Sequence, residues 1–379
     1  MAAACAVYLD YNATAPLRPE ARAALLEACG EVGNPSSIHA FGRRARRRLE
    51  DAREAICARL GVAPARLVFT SGGTEANHLA LAQARGGPVV VSAIEHPSVL
   101  EAVPDAHRAP VTSTGEVDLD ALARLLAAHR PALVSIMLAN NETGVVQPLA
   151  EVAELCRRSG VLLHVDAVQG PGRCPLGPAL EGAHFVSLSA HKIGGPVGIG
   201  ALLVPDPFTL VPLLRGGGQE RRRRAGTENV PGACGFAAAF QALSEAETAR
   251  LSTLRDRLER ELEARVPEVR IIGREAPRLA NTSCIALPGV PAELQVVRLD
   301  LEGFAVSAGS ACSSGKVARS HVLEAMGLPP EIAGCAIRVS LGWRTTAAEI
   351  DAFVEAWART VPALREAATA LAPAPARTR

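Results

Sequence analysis

ALVSIMLANNETGVVQPLAEVAELCRRSGVLLHVD, residues 132–166, holds the pattern that decides the fold. ALVSIML and VLLHVD are near-continuously apolar rather than alternating, as strands buried on both faces must be. Between them LAEVAELCRRSG has the spacing of an amphipathic helix, and Gly160 stands where helices commonly close. Strand, helix and strand in succession predict a parallel crossover. Working outward, RLVFT and PVVVS precede this unit, HFVSLS and GIGALLV follow it, and ALARLLAAHR supplies another helix. From about Arg66 to Val204 the chain therefore reads as an α/β domain with a mainly parallel sheet, and its ligands are expected at the carboxyl ends of the strands.

The pattern changes after about Ala225. A long helical stretch, roughly Pro231 to Val266, leads into separated strands (VRIIG, NTSCIAL, AIRVSLG) and helices (PAELQVVRLDLEG, TAAEIDAFVEAWARTV). This predicts a smaller α+β domain. We expect residues 13–250 to form the large domain and residues 1–12 with 251–379 the small one, the tail LAPAPARTR being disordered.

Composition narrows the function. The 379 residues are 48% hydrophobic, enough for a large core, which excludes a disordered chain and a disulfide-stapled mini-protein. With 40 Lys+Arg against 39 Asp+Glu, no global field recruits nucleic acid or an anionic membrane. Nine cysteines without a Cys-x-x-Cys pair argue against a structural zinc site or a disulfide framework and for a reducing compartment. MAAACAVYLDYNATAP lacks the basic start of a signal peptide, and no apolar run reaches spanning length, so a cytoplasmic protein is expected. Lysine occurs only at Lys192 and Lys316, every other basic charge being arginine. A guanidinium stays charged and cannot form an imine, so a retained lysine is suspect as an amine that reacts.

Three loops concentrate the chemistry. TSGGTEAN, residues 70–77, follows a strand and opens a helix, offering glycines, the Thr74 hydroxyl and exposed N–H groups to an anion. It lacks the lysine of a Walker A loop, and in isolation an ordinary strand-to-helix turn looks the same. In VLLHVDAVQG, Asp166 ends an apolar strand where a buried carboxylate needs a partner, and Gln169 follows. In SLSAHKIGGPVGIG, Ser189, His191 and Lys192 lie just past another strand. Together these suit pyridoxal phosphate: an imine-forming lysine, a carboxylate for the pyridinium nitrogen and a phosphate cradle, each after a strand.

YLDYNATAP, GNPSSIHAFG, FTSGGTEANHLA, EHPSVL, NNETGVVQPL, HVDAVQ, SAHKIGGPVGIGAL, GGGQERRRRAGTENVPG, SAGSACSSG and IRVSLG together resemble the cysteine desulfurases of the nitrogen-fixation and iron–sulfur-cluster type, from about residue 7 to residue 360. The resemblance implies a homodimeric fold-type-I pyridoxal 5'-phosphate enzyme of the class-V aminotransferase family. Its mainly parallel seven-stranded sheet would lie in the large domain, with a smaller α+β domain beside it. Such an enzyme takes sulfur from L-cysteine and leaves L-alanine. Carried over by motif, Lys192 is the Schiff-base lysine, Asp166 pairs with the pyridine nitrogen, and His96 stacks on the ring and moves protons. Gly73, Thr74, Ser189 and His191 hold the phosphate, with Thr227 arriving from the other subunit. Asn141 and Gln169 approach the phenolic oxygen, and Asn34 and Arg338 bind the substrate carboxylate. Arg338 also lies within an apolar strand, where a guanidinium needs a carboxylate; an internal salt bridge would serve as well as a substrate.

Cys312 is the decisive residue in this reading. It lies in SAGSACSSGK, a glycine- and serine-rich run that cannot pack a core, whereas most other cysteines sit in apolar patterns. There it would take the substrate sulfur as a persulfide for iron–sulfur assembly or other sulfur transfer. No resident metal is expected, Cys312 being at most a transient iron–sulfur ligand. Lys316 is placed to lower the thiol pKa or meet an acceptor, although a solvated loop lysine is the plainer reading. A sulfur-acceptor or iron–sulfur scaffold protein is the implied partner. Housekeeping relatives carry an extended C-terminal segment for scaffold docking that this sequence does not match. The Cys312 run resembles the longer form, so turnover without a partner is expected. Selenocysteine lyase, or another pyridoxal-phosphate lyase or aminotransferase, keeps the cofactor and changes the reaction, though an aminotransferase has little use for Cys312. A non-enzymatic scaffold using GRRARRRLEDAR or RRRR fits poorly, because Glu50, Asp51 and Glu54 accompany the first cluster.

Overall fold

The computed structural model describes residues 7–309 and 319–371. After β1 (Val7–Tyr8), seven strands form one sheet: β2 (Leu67–Thr70), β3 (Val89–Ser92), β4 (His107–Ala109), β5 (Leu133–Ser135), β6 (Leu162–Asp166), β7 (Phe185–Ser189) and β8 (Gly200–Leu203). Their order is β2-β8-β7-β6-β5-β3-β4. The pairs β4–β3, β3–β5, β5–β6 and β6–β7 are parallel, and β8 runs antiparallel to both its neighbours. The expected mainly parallel seven-stranded sheet is what the chain forms. β4 was not foreseen. It is a three-residue edge strand with an exposed Arg108, too short and too polar to show an apolar run.

Helices α1 (Pro19–Cys29), α2 (Ala40–Leu60), α3 (Gly73–Leu81), α4 (Pro97–Leu100), α5 (Leu119–His129), α6 (Leu149–Ser159) and α7 (Gly177–Gly182) flank this sheet in the first half of the chain. α6 closes at Gly160, whose φ of 66° is the left-handed conformation that glycine adopts without strain. The helical stretch expected from Pro231 to Val266 is two helices, α8 (Val230–Gln241) and α9 (Glu245–Arg265). Ser244 divides them: in extended backbone its side chain accepts Glu247 N–H at 3.2 Å, an N-cap that starts a new helix.

The remaining strands β9 (Arg270–Ile272), β10 (Thr282–Ala286), β11 (Phe304–Ala305), β12 (Ser307–Ala308) and β13 (Ala336–Ser340) build a four-stranded antiparallel sheet β12-β13-β10-β9 and the parallel pair β1-β11. Between and after them lie α10 (Ala292–Leu301), α11 (His321–Ala325), α12 (Pro330–Ala333) and α13 (Ala347–Leu371). One apolar cluster joins the large sheet to α2, α6 and α8. Another gathers Leu251, Leu258 and Leu262 of α9 with Phe353 and Trp357 of α13 around the smaller sheet. No helix among the described residues is long and apolar enough to cross a membrane. The tail reading falls at residues 371–379, of which only the helical end at Leu371 is described.

Three polar residues cross the middle of the large sheet. His164 of β6 bonds Ser135 Oγ of β5 through Nδ1 at 2.8 Å and Ser187 Oγ of β7 through Nε2 at 2.9 Å. Both ring nitrogens of a fully buried imidazole are thereby satisfied.

Candidate active site

The carboxyl ends of β6 and β7 set out the site. Asp166, the last residue of β6, accepts Val168 N–H at 3.0 Å on Oδ1 and the Asn77 amide of α3 at 2.8 Å on Oδ2. Two hydrogen bonds fix one orientation of a buried carboxylate. The same amide nitrogen donates to Ser98 Oγ at 2.9 Å, and that hydroxyl lies 2.8 Å from His96 Nδ1. His96 is the N-cap of α4, its Nδ1 accepting Ser98 N–H at 3.0 Å. Burial lowers the His96 pKa, helped by the charges of Lys192 and His321 and opposed by Asp166. The imidazole is therefore neutral near pH 7 and, with Nδ1 occupied as an acceptor, carries its proton on Nε2.

Lys192 follows β7 in a short 3₁₀ turn. Its Nζ donates to the carbonyls of Asn12 and Ala13, both at 2.8 Å. Beneath it lies Arg173, a fully buried guanidinium whose pKa burial pulls down to about 10. Arg173 donates to Lys192 O at 2.6 Å, to Tyr11 O at 3.3 Å and to Gln169 Oε1. With its oxygen so engaged, Gln169 turns its amide nitrogen to Asn12 O at 3.1 Å. Asn12 is the hub: its own amide reaches Thr282 Oγ1 at 2.8 Å and Asn141 O at 3.1 Å.

The third loop is a cradle. Gly72 precedes α3 without a capping side chain, leaving the first N–H groups of the helix available. A Cβ at Gly73 would lie 2.9 Å from Val168 Cγ2 and 3.5 Å from Ser189 Cβ, so only glycine leaves the hollow open. Ser189 Oγ is buried there without a hydrogen-bond partner. Thr74 is exposed at the rim, and His191 Nδ1 lies 3.2 Å from Thr14 Oγ1. Burial pushes the His191 pKa down to about 4. An orphaned hydroxyl facing a helix start is a donor set that fits the oxygens of a phosphate.

Arg338 of β13 donates to Asp10 Oδ1 at 2.6 Å and to Asn141 O at 3.2 Å. The internal salt bridge foreseen as an alternative is therefore formed. Its Nε is nonetheless buried without a partner. Asn34 and Thr227 stand outside this network. Asn34 Oδ1 accepts Ser36 N–H at 2.8 Å in an exposed turn, and Thr227 is exposed. Three residues before Thr227, Arg224 pairs with Glu75 in the first turn of α3 at 2.8 Å, which moors that segment beside the cradle. Cys312 and Lys316 lie outside the described residues. Asn12, Asn77, Arg173 and Asp10 were not singled out in the sequence. Asn77 lies inside the TSGGTEAN motif, and its place one turn past the glycines was the one signal that could have found it.

Residues 7–353 match the family model described as aminotransferase class-V. A cysteine desulfurase of Cereibacter sphaeroides is 44% identical over 377 residues, which cover 95% of this chain and 96% of that protein. An IscS-like cysteine desulfurase of Mycobacterium tuberculosis is 40% identical, with 96% and 98% covered. The X-ray structure of a NifS-like protein from Rickettsia africae superposes with a TM-score of 0.87 at 36% identity, covering 94% of this chain and 99% of the other. With the site already placed at the strand ends where its motifs fall, the chain belongs to the class-V aminotransferase family and, within it, to the cysteine desulfurases of the nitrogen-fixation and iron–sulfur-cluster type.

Proposed function

We propose that this protein is a pyridoxal 5'-phosphate-dependent cysteine desulfurase that takes sulfur from L-cysteine, releases L-alanine and passes the sulfur on for iron–sulfur assembly or other sulfur transfer. The observation that carries the reading is the convergence of Asp166, His96, Lys192 and the Gly73–Ser189 hollow on one end of the sheet. In this reading Gly73, Thr74, Ser189 and His191 hold the cofactor phosphate, Asp166 the ring nitrogen, and Asn141 and Gln169 the phenolic oxygen. His96 lies against the ring. When bound, pyridoxal phosphate supplies an electron sink for the pair left as the substrate Cα–H bond breaks.

The chain's own groups do the rest. Lys192 would hold the cofactor covalently, and as an amine its Nζ would take the Cα proton. His96, neutral near pH 7, accepts the substrate thiol proton. Arg338, with a free Nε, and Asn34 orient the substrate carboxylate, which competes with Asp10 for the guanidinium. The Cys312 thiolate would form a bond to the substrate sulfur as the Cβ–S bond breaks, leaving an enzyme persulfide, and protonation at Cβ together with return of the proton from Lys192 Nζ to Cα would give alanine.

We read the working form as a homodimer in the cytoplasm, with Thr227 reaching the partner copy's phosphate site. Val32 is 80% and Ile38 91% exposed beside Asn34, a large apolar surface for one chain to leave in water. Glu228, next to Thr227, is buried 3.7 Å from the Arg46 guanidinium, with both carboxylate oxygens lacking hydrogen bonds. Residues 13–250 and residues 1–12 with 251–379 serve as the two domains, in keeping with the two apolar clusters. A sulfur-acceptor or scaffold protein is the downstream partner.

The test is alanine produced from L-cysteine under a thiol reductant, with wild type compared with Cys312→Ala after both are shown to bind pyridoxal phosphate. The reading expects alanine from wild type without an added acceptor and none from the variant. Cofactor binding without alanine from wild type would overturn it.

A further inference from the structure

Arg173 is a buried charge that the scheme above does not use. The cations around it have carboxylates: Arg338 pairs with Asp10 at 2.6 Å and Arg18 with Glu247 at 2.5 Å. Arg173, 7% exposed, has none among the described residues, and its acceptors are two backbone carbonyls and one amide oxygen. A guanidinium desolvated without a counter-charge costs stability, so its contribution has to be sought in those three bonds. They converge on Lys192. Nη2 donates to Lys192 O at 2.6 Å and to Tyr11 O at 3.3 Å. Tyr11 directly precedes Asn12 and Ala13, whose carbonyls receive the Lys192 amine at 2.8 Å each. Nη1 donates to Gln169 Oε1, which turns the Gln169 amide nitrogen onto the same Asn12 carbonyl at 3.1 Å.

The turn that carries the lysine is held at three consecutive carbonyls. His191 O accepts Ala15 N–H at 2.8 Å, Lys192 O accepts Arg173, and Ile193 O accepts Arg18 Nε at 2.9 Å. Arg173 itself stands on a fixed loop after β6. Its N–H donates to Gly170 O and its carbonyl accepts Ala280 N–H, both at 3.0 Å, while Thr248 Oγ1 of α9 donates to Gly172 O at 3.0 Å. One planar fork therefore grips the lysine at its backbone and also the chain segment that receives its amine. We propose that Arg173 is a positioning residue for Lys192, holding its backbone and the Asn12 and Ala13 carbonyls at a fixed separation so that Nζ is aimed along one line. That Lys192 is the reactive amine rests on the desulfurase reading. A guanidinium suits the task because its five donors diverge in a rigid plane, which an ammonium cannot reproduce.

The test reads attachment of the cofactor apart from its binding. Cofactor-free full chain is mixed with pyridoxal 5'-phosphate. Attachment, in which Nζ and the aldehyde carbon form an imine and water leaves, is stopped with borohydride at successive times and followed by peptide mass spectrometry at residue 192. In parallel the same proteins are titrated with pyridoxine 5'-phosphate, which has the ring and the phosphate but no aldehyde. Arg173→Met is expected to slow attachment about tenfold or more, because a misdirected amine seldom meets the aldehyde, and to leave pyridoxine 5'-phosphate affinity within about threefold. Arg173→Lys keeps the charge and a donor and should slow attachment less. If Arg173→Met does not fold, Arg173→Lys alone carries the comparison, with attachment slower than in wild type and pyridoxine 5'-phosphate affinity kept. Attachment at the wild-type rate, a parallel loss of pyridoxine 5'-phosphate affinity, or Arg173→Lys as slow as Arg173→Met would overturn the proposal. Wild type that carries no cofactor at residue 192 would overturn the assignment of Lys192 and this proposal with it. Cofactor at residue 192 without alanine from L-cysteine would overturn the desulfurase reading alone.

Discussion

Asn77 Nδ2 holds Asp166 Oδ2 at 2.8 Å and Ser98 Oγ at 2.9 Å, so one side-chain amide joins the carboxylate at the end of β6 to the serine that bonds His96. Removing it leaves Asp166 with the single Val168 N–H bond. Asn77→Ala should weaken pyridoxal phosphate binding about tenfold, the worth of a hydrogen bond to a charged group. Titration of cofactor-free protein by fluorescence reads this directly, and equal affinity in the two proteins would mean that Asp166 needs no such support.

Lys192→Arg keeps a positive charge within reach of the Asn12 and Ala13 carbonyls but cannot supply a reactive amine. Borohydride treatment of the holoprotein should add the mass of the reduced cofactor at residue 192 in wild type and nothing in the variant. Alanine formation should fall by about three orders of magnitude or more. A mass increase elsewhere in the wild-type chain would remove Lys192 from its assigned place.

His164 predicts how stability depends on pH. Burial lowers its pKa from 6.5 to about 4. Between those values the unfolded chain binds a proton that the folded one does not, so stability is fully present above pH 6.5 and is lost as pH falls toward 4. The loss amounts to about 3 kcal/mol for this group. His191, shifted down to about 4, acts with the same sign. His164→Gln should therefore lower the thermal midpoint at neutral pH but flatten its fall on acidification. An unaltered acid slope would show that the imidazole is not the titrating group.

The buried pair of Arg53 and Glu220 anchors the arginine-rich loop. Glu220 accepts Arg53 at 2.7 and 2.9 Å and Phe69 N–H at 3.0 Å. Glu220→Ala leaves the guanidinium only Glu50 at 3.1 Å and the Leu67 carbonyl at 2.7 Å and should destabilise by about 3 kcal/mol, whereas Glu220→Ala with Arg53→Met should recover much of that loss. In the same loop Glu220, Arg221 and Arg222 have φ of 46°, 56° and 64°. Arg222→Gly relieves the left-handed strain of an exposed side chain and should raise stability by up to about 1 kcal/mol, measured as a higher thermal midpoint.

What was legible in the sequence is what local pattern encodes. The apolar runs gave six of the seven strands of the large sheet, and the loops after β2, β6 and β7 carried glycines, a carboxylate and a lysine in positions whose chemistry is self-evident. The edge strand β4 was not legible, because an edge strand need not be apolar on both faces. The break at Ser244 was missed because helical periodicity on either side of it continues almost in phase. Asn12 and Arg173 escaped for a different reason. They are ordinary polar residues made important by partners such as Thr282 and Lys192, and no local spacing reports a contact of that kind. Arg338 showed the converse, since its burial demanded a carboxylate but did not reveal that Asp10 would be the one.

The bond from Asn12 N–H to Ser340 Oγ spans 328 residues, as does that from Arg338 to Asp10. During synthesis the residue that accepts the Lys192 amine is made almost first, and the strand that fixes it is made almost last. The large sheet, complete by Leu203, can assemble while the ribosome is still working, but the lysine's surroundings cannot be finished until β13 has emerged. A chain interrupted anywhere before that point would lack the strand that fixes Asn12, the residue whose carbonyl receives the Lys192 amine.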